Sequence, residues 1–490
     1  MLTWARKAGV LMAAIAAAPS VIAGCACGDT GGTAISATGG AGPSGTGSGG
    51  GFGTLASVGG SGGGEGGGGP CEGLECQQVA CSGGAKTTVT GTVYDPAGRL
   101  PLYNAIVYVP NAPLDEITDG ATCEQCGAEL SGSPIATALT DTHGRFILED
   151  VPAGEDIPLV VQVGKWRRQI TLPVVNACED NPTEAGTIRL PRNKAEGHIP
   201  KIALTTGGAD PLECLLRQLG IDDSEFTPET GDGRINLFAG QAPASFRVTT
   251  QYTSTLHEGA EFTPATSLWG TVESLQKYDM VILACEGDPF ASSKPESARQ
   301  ALFDYTSLGG RVFASHWHNH WLKQGPEPFP DAAIWDNNIE DPVSPLTATV
   351  DTRFPKGEAL ADWLFNVGAS TVRGELEIHE PQHTVSAVND DVATRWIYYD
   401  EPEPAGVQYF TFNTPIGVEE EEQCGRLVFT DIHVSAGGIM GAEDMTGPPF
   451  PEGCSDTELT PQEKALIFML FDLSACIVPD DEPPPVPVPR

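Results

Sequence analysis

Hydrophobic and polar positions change period twice along the chain, and each change marks a new kind of element. Residues 87–192 alternate with a period of two: TTVTGTVYD alternates, PAG turns the chain, NAIVYVP alternates again, and ATALTDTHGRFILEDVPAG reads as strand, turn, strand. IPLVVQVGKWRRQITLPVV supplies two more strands. No helical period occurs in this stretch, which predicts an all-β sandwich. From Ile199 the pattern changes. IPKIALTTGG is a short apolar strand, and DPLECLLRQLG carries apolar residues at helical spacing with Gly220 as its stop. RINLFAG is a further strand, and YDMVILACEGD is a near-continuous apolar run, the mark of a strand covered on both faces. Ser293 with Glu296 predicts a capping box, Gly309-Gly310 stops that helix, and RVFAS begins the next strand. VQYFTFN, GRLVFTDIHVS and a terminal helix opened by a Thr460–Glu463 capping box follow. Alternating strands and helices predict an α/β layered sheet over residues 193–478.

The ends of the chain carry no such period. Arg6 and Lys7 precede an apolar run over 10–23, too short for a stop-transfer helix, so residues 1–24 read as a signal peptide. Residues 28–70 are almost wholly Gly, Ser, Thr and Ala, and residues 25–86 read as a flexible tether with a cysteine cluster. The segment 479–490, PDDEPPPVPVPR from Pro479, reads as an exposed polyproline tail. A net charge of −38, from 65 acidic and 27 basic residues, argues against nucleic acid as a partner. Thirteen cysteines in an exported chain predict a set of disulfides. Cys123 and Cys126 are expected to pair with each other or with neighbours. Cys285 is expected either in a disulfide, with Cys214 as the partner considered, or buried as a small apolar residue.

Three resemblances sharpen these expectations. Ile22-Ala23-Gly24-Cys25 resembles the lipobox of bacterial lipoproteins, which implies lipidation at Cys25 and attachment to a membrane. Ala26, rather than an aspartate, follows it, so the implied destination is the outer membrane. GTVYDPAGRLPLYNAIVYV with TALTDTHGRFILEDVPAG resembles the carboxypeptidase regulatory-like (transthyretin-like) domain, an accessory sandwich without chemistry of its own. KIALTTGG, LQKYDMVILACEG, ALFDYTSLGGRVFASHWH and CGRLVFTDIHVS resemble the flavodoxin-like class I glutamine amidotransferase superfamily, and most its ThuA-like branch. That resemblance spans about half of 199–478, with insertions at 226–270 and 322–425.

The chemistry concentrates in RVFASHWHNHWL, residues 311–322, where three histidines and two tryptophans fall in six consecutive positions. In a doubly wound sheet ligands gather beyond the carboxyl ends of strands. Four such ends are candidates: Thr205–Gly208 with Asp210, Cys285–Asp288, the His316–His320 cluster, and Asp431 with His433. The amidotransferases keep a nucleophilic cysteine in a tight turn where this chain has His316, with Trp317 and His318 in place of the glycine that lets the turn close. Amidotransferase chemistry is therefore not expected.

Two geometries are open for the cluster. A continued strand puts His316, His318 and His320 on one face; a helix after Ser315 pairs His316 with His320. With Asp431 or His433 either could hold a divalent metal such as zinc. Buried imidazoles satisfying carbonyls, or aromatic rings stacking on a sugar, are the competing reading. His379 and His383 are expected in a surface loop. The chain thus reads as a cell-envelope binding or scaffold lipoprotein with a catalytically degenerate amidotransferase-like domain and a cell-surface carbohydrate or protein ligand. The alternative is a metal-assisted hydrolase or carbohydrate-processing enzyme with His316, His318, His320, Asp431 and His433 as metal ligands.

Overall fold

Period-two alternation in the first stretch becomes two small sheets. One has the strand order Arg145–Leu148, Thr88–Thr92, Asp180–Pro182; the other runs Pro134–Leu139, Ile106–Pro110, Gly154–Val163, Trp166–Val175. Along Arg145–Leu148 exposure alternates strictly, with Phe146 and Leu148 buried. Val89, Phe146 and Leu148 from one sheet and Val107, Leu159 and Val161 from the other belong to one apolar core. Among the described residues no α-helix precedes Leu212–Gln218. The computed structural model describes residues 71–242, 253–336, 338–434, 448–454 and 458–489. The expected signal peptide, Cys25 and the glycine-rich tract to residue 70 lie outside the described residues.

The second stretch forms the larger sheet. Five strands, Ile235–Ala239, Ile202–Thr206, Met280–Leu283, Arg311–Ser315 and Gly425–Thr430, lie side by side in that order, all parallel. Numbered along the chain, the order is 2-1-3-4-5, the doubly wound arrangement with its switch point between the first and third strands. Every residue of Ile202–Thr206, Met280–Leu283, Arg311–Ser315 and Gly425–Thr430 is buried, because both faces are covered. The stretch 322–425, expected as an insertion, extends the same sheet. Gly406–Thr414, Thr394–Tyr399, Leu346–Val350 and Glu375–Ile378 add to it as antiparallel strands.

The helix Pro461–Ser474 packs on this sheet and begins with the expected capping box, in which the Thr460 side chain and Glu463 satisfy each other's backbone N–H groups. The other expected box does not form. Ser293 closes a 3-10 turn by donating to the Phe290 carbonyl, and Pro295 caps the helix Glu296–Ser307.

The two stretches belong to one compact unit. The hairpin between Gly154–Val163 and Trp166–Val175 turns at Gly164, with φ of 51°. A side chain there would collide with the Ser474 carbonyl at the end of the terminal helix, so glycine lets the two backbones touch. Next to it, buried Lys165 donates to the Asp279 carboxylate at 2.6 Å and to the Gly120 carbonyl at 2.7 Å. Disulfides add covalent links: Cys123–Cys424 and Cys126–Cys476 join the loop after the strand Ile106–Pro110 to the larger sheet and to the end of the terminal helix. Cys123 and Cys126 thus each take a distant partner. Cys71–Cys76, Cys81–Cys178 and Cys214–Cys454 are the other disulfides among the described residues, where Cys285 is free and buried. The pairing of Cys285 with Cys214 is therefore replaced: Cys214 lies on the helix Leu212–Gln218 and meets the 448–454 segment, while Cys285 sits at the end of a central strand.

Both flanking segments are more ordered than their composition suggests. Residues 71–86, expected as tether, contain two 3-10 turns, and the Leu74 N–H donates to Asn111 Oδ1 at 2.8 Å. In the tail, Asp480 is buried against Arg426 and Lys356, and Thr137 donates to the Pro487 carbonyl.

Candidate functional site at the strand ends

The strand Arg311–Ser315 stops because His316 adopts a left-handed conformation, with φ of 39°. A 3-10 turn, His316–Asn319, and a short helix, His320–Lys323, follow. The strand does not continue through the cluster, and the left-handed residue keeps His316 out of helical register with His320. Neither expected geometry holds. A non-glycine side chain in this region costs about 1–3 kcal/mol, which the surrounding packing must offset.

The three histidines then part company. His318 is buried among aromatic rings; its Nε2 lies 2.9 Å from the Ala284 carbonyl and its Nδ1 accepts from Trp321 at 2.9 Å. With both nitrogens engaged and Trp269 6.4 Å away edge-on, it serves the packing of this corner. The His320 imidazole is pushed down to about 4, by burial first and then by Arg299 and Lys294. Its Nε2 has no hydrogen-bond partner among the described residues. His316 alone turns toward the sheet's carboxyl rim, where its Nδ1 lies 3.5 Å from Cys285 Sγ and its ring centroid 5.2 Å from that of His433. Burial holds the His316 imidazole well below its ordinary value, and the neighbouring His433 and His318 add to this.

The four strand ends do converge. Asp210 accepts from Ser315 Oγ at 2.6 Å and from the Val434 N–H at 2.8 Å, tying the first, fourth and fifth strands of the parallel set together. Burial raises its carboxyl, and His433 acts against that. Glu286 accepts from Lys294 at 2.5 Å, both fully buried, and from the Gln241 N–H at 2.9 Å. Asp431 is turned to another task. Its two oxygens take the Thr384 N–H and hydroxyl at 2.9 Å, and burial raises its carboxyl to about 7. His383, expected at the surface, is buried one residue before that contact, with Nδ1 on the Tyr399 hydroxyl and Nε2 on the Ser386 hydroxyl. His379 is exposed, beside Glu377.

Of the five sequence-predicted metal ligands, His316 and His433 meet, whereas His318, His320 and Asp431 do not join them. Cys285 takes the third place. Ligand atoms of Cys285, His316 and His433 all lie within 4.8 Å of one another, the only such group among the described residues. Burial pushes the Cys285 thiol up, while N–H groups of Trp317 and Gly287 directed at Sγ act the other way. The sequence did hold a signal for Cys285. It ends the apolar run of the strand next to the histidine strand, so the parallel register sets the two residues side by side.

No protein-family model matches the chain, and no curated protein does. Among solved structures, a ThuA-like protein from Bacteroides uniformis is similar at 12% identity, covering 49% of this chain and 84% of that one, with a TM-score of 0.28. Two type II cohesin–X-dockerin complexes from Acetivibrio cellulolyticus are similar at 19% and 21% identity. Each covers 30% of this chain, and 78% and 79% of those, with TM-scores of 0.14 and 0.13.

Proposed function

We propose that the protein is a cell-envelope lipoprotein that works by binding, with an amidotransferase-like domain that has lost its nucleophile. The observation that carries this is His316. It stands in the left-handed turn after a central parallel strand, where that superfamily keeps its cysteine, and it presents an imidazole buried beside two further side chains. The thiol nearby, Cys285, is buried and its ionisation suppressed, so it makes a poor nucleophile. The carboxypeptidase regulatory-like reading of residues 87–192 gives that part a packing role, consistent with the buried Lys165–Asp279 bridge and two disulfides that join it to the larger sheet and to the end of the terminal helix. Half-buried Trp317, with its ring centroid 4.9 Å from that of His316, supports a carbohydrate as the ligand class. The expected result is that amides, esters and glycosides show no turnover above a His316→Ala control. Metal-dependent turnover abolished by His316→Ala would instead establish the metal-assisted hydrolase, the second reading, which the meeting of His316 with His433 favours.

The envelope location rests on the Ile22-Ala23-Gly24-Cys25 sequence behind a short apolar run. Cells fed labelled palmitate should incorporate it into the wild-type chain and not into Cys25→Ala. Equal labelling of both would remove Cys25 as the anchor, and no labelling of either would remove the lipid.

A further inference from the structure

We propose that Cys285, His316 and His433 form a binding site for a single thiophilic divalent ion of the zinc class. The inference does not depend on whether the protein turns anything over.

Several independent features of the geometry agree on it. The three groups come from three neighbouring parallel strands, at the rim where this fold collects ligands. A tetrahedral ion with a sulfur ligand at about 2.3 Å and a nitrogen ligand at about 2.05 Å needs them about 3.5 Å apart. The Cys285 Sγ–His316 Nδ1 separation is 3.5 Å. The Nε2 of His433 is buried and has no hydrogen-bond partner among the described residues. A buried nitrogen in that condition is destabilising unless something fills its lone pair or takes its proton.

Burial alone disfavours a thiolate here, and two N–H groups are placed to support one once a cation is bound. The Gly287 N–H donates to Cys285 Sγ at 3.4 Å, and the Trp317 N–H is also directed at it, as outer donors are around metal-bound sulfur. Asp210 is held against the His433 side of the rim by Ser315 and Val434, so a carboxylate lies within electrostatic reach of the cation. Among the described residues Cys285 is also the cysteine left unpaired, the other ten forming five disulfides. Loading would release the thiol proton to solvent as the metal–sulfur bond forms, leaving a thiolate, two neutral imidazoles and one further coordination position. His318 is excluded because both its nitrogens are engaged, and Asp431 because Thr384 holds its oxygens.

Cobalt(II), a spectroscopic substitute for zinc, gives the test. Titrated into purified, disulfide-intact, metal-stripped protein, it should saturate at one equivalent. Saturation should bring thiolate-to-cobalt charge transfer and the visible bands of a tetrahedral site, and zinc should displace both. Cys285→Ser should lose the charge transfer, and His433→Ala should weaken binding at least about tenfold. His320→Ala should bind as the wild type does. Binding of less than a tenth of an equivalent by the wild type overturns the proposal. So does a wild-type cobalt spectrum without the thiolate band, a result that does not depend on how well any variant folds.

Discussion

Arg426→Met is expected to destabilise the folded part by about 3–5 kcal/mol, measured by denaturant unfolding at neutral pH. Arg426 is buried in the strand Gly425–Thr430 and donates to Asp480 at 2.6 Å, to Asp472 at 2.8 Å and to Asn413 at 3.0 Å. Lys356 completes the cluster, 3.2 Å from Asp480 and 3.3 Å from Asp472. These four charges join a central strand, the terminal helix, the helix Pro355–Asn366 and the start of the tail. Methionine would fill the space but leave two buried carboxylates facing a single ammonium. The pH dependence follows from Asp480. Burial raises its carboxyl, but Arg426 and then Lys356 pull it further the other way, well below the usual carboxylate range. A depressed carboxyl contributes stability above its unfolded value of about 3.9 and loses it as the pH falls. The gap between wild type and variant should therefore be full at neutral pH and narrow below about pH 4. A gap that stays constant into acid would show that packing, not charge, sets the loss.

Replacing Cys126 and Cys476 together with serine should cost about 2–5 kcal/mol. The bond spans 350 residues of sequence, but Cys123–Cys424 stays closed, so breaking it frees only the ring formed by 123–126 and 424–476 in the unfolded chain. The loop bearing Cys126 also carries Cys123, bonded to Cys424, and Gln125, which donates to the Gln423 carbonyl at 3.2 Å. The native contacts should therefore survive the substitution, with the loss appearing in the unfolding midpoint. A midpoint unchanged within error would mean the unfolded chain is already compact around this loop.

Much of the sheet was legible because burial on both faces leaves no room for a polar alternation. IALTT, MVIL, RVFAS and GRLVFT read as strands, MVIL as one covered on both faces, and all four are buried at every position. The antiparallel extension was harder. Leu346–Val350 alternates buried and exposed, and its strands come from a stretch without matching neighbours in sequence. Local rules also failed where two signals competed: Ser293 matched a capping box, but Pro295 starts the helix two residues later.

At the site, the sequence named His316 and His433 but could not separate them from His318. Hydrogen bonding to Ala284 and Trp321 decides that, and neither partner is visible from spacing. For Cys285 the sequence leaves a disulfide and a buried small apolar residue open, and the structure shows it free and buried. Only the parallel register of two neighbouring strands places it against an imidazole.

The long-range disulfides have a consequence for damage. A single backbone cut anywhere from residue 127 to 423 leaves Cys123 and Cys126 on one fragment and Cys424 and Cys476 on the other, still bonded. Both pieces stay covalently attached until a reductant arrives. The molecule would tolerate nicking of its surface loops as a single body, as a ring tolerates one broken link.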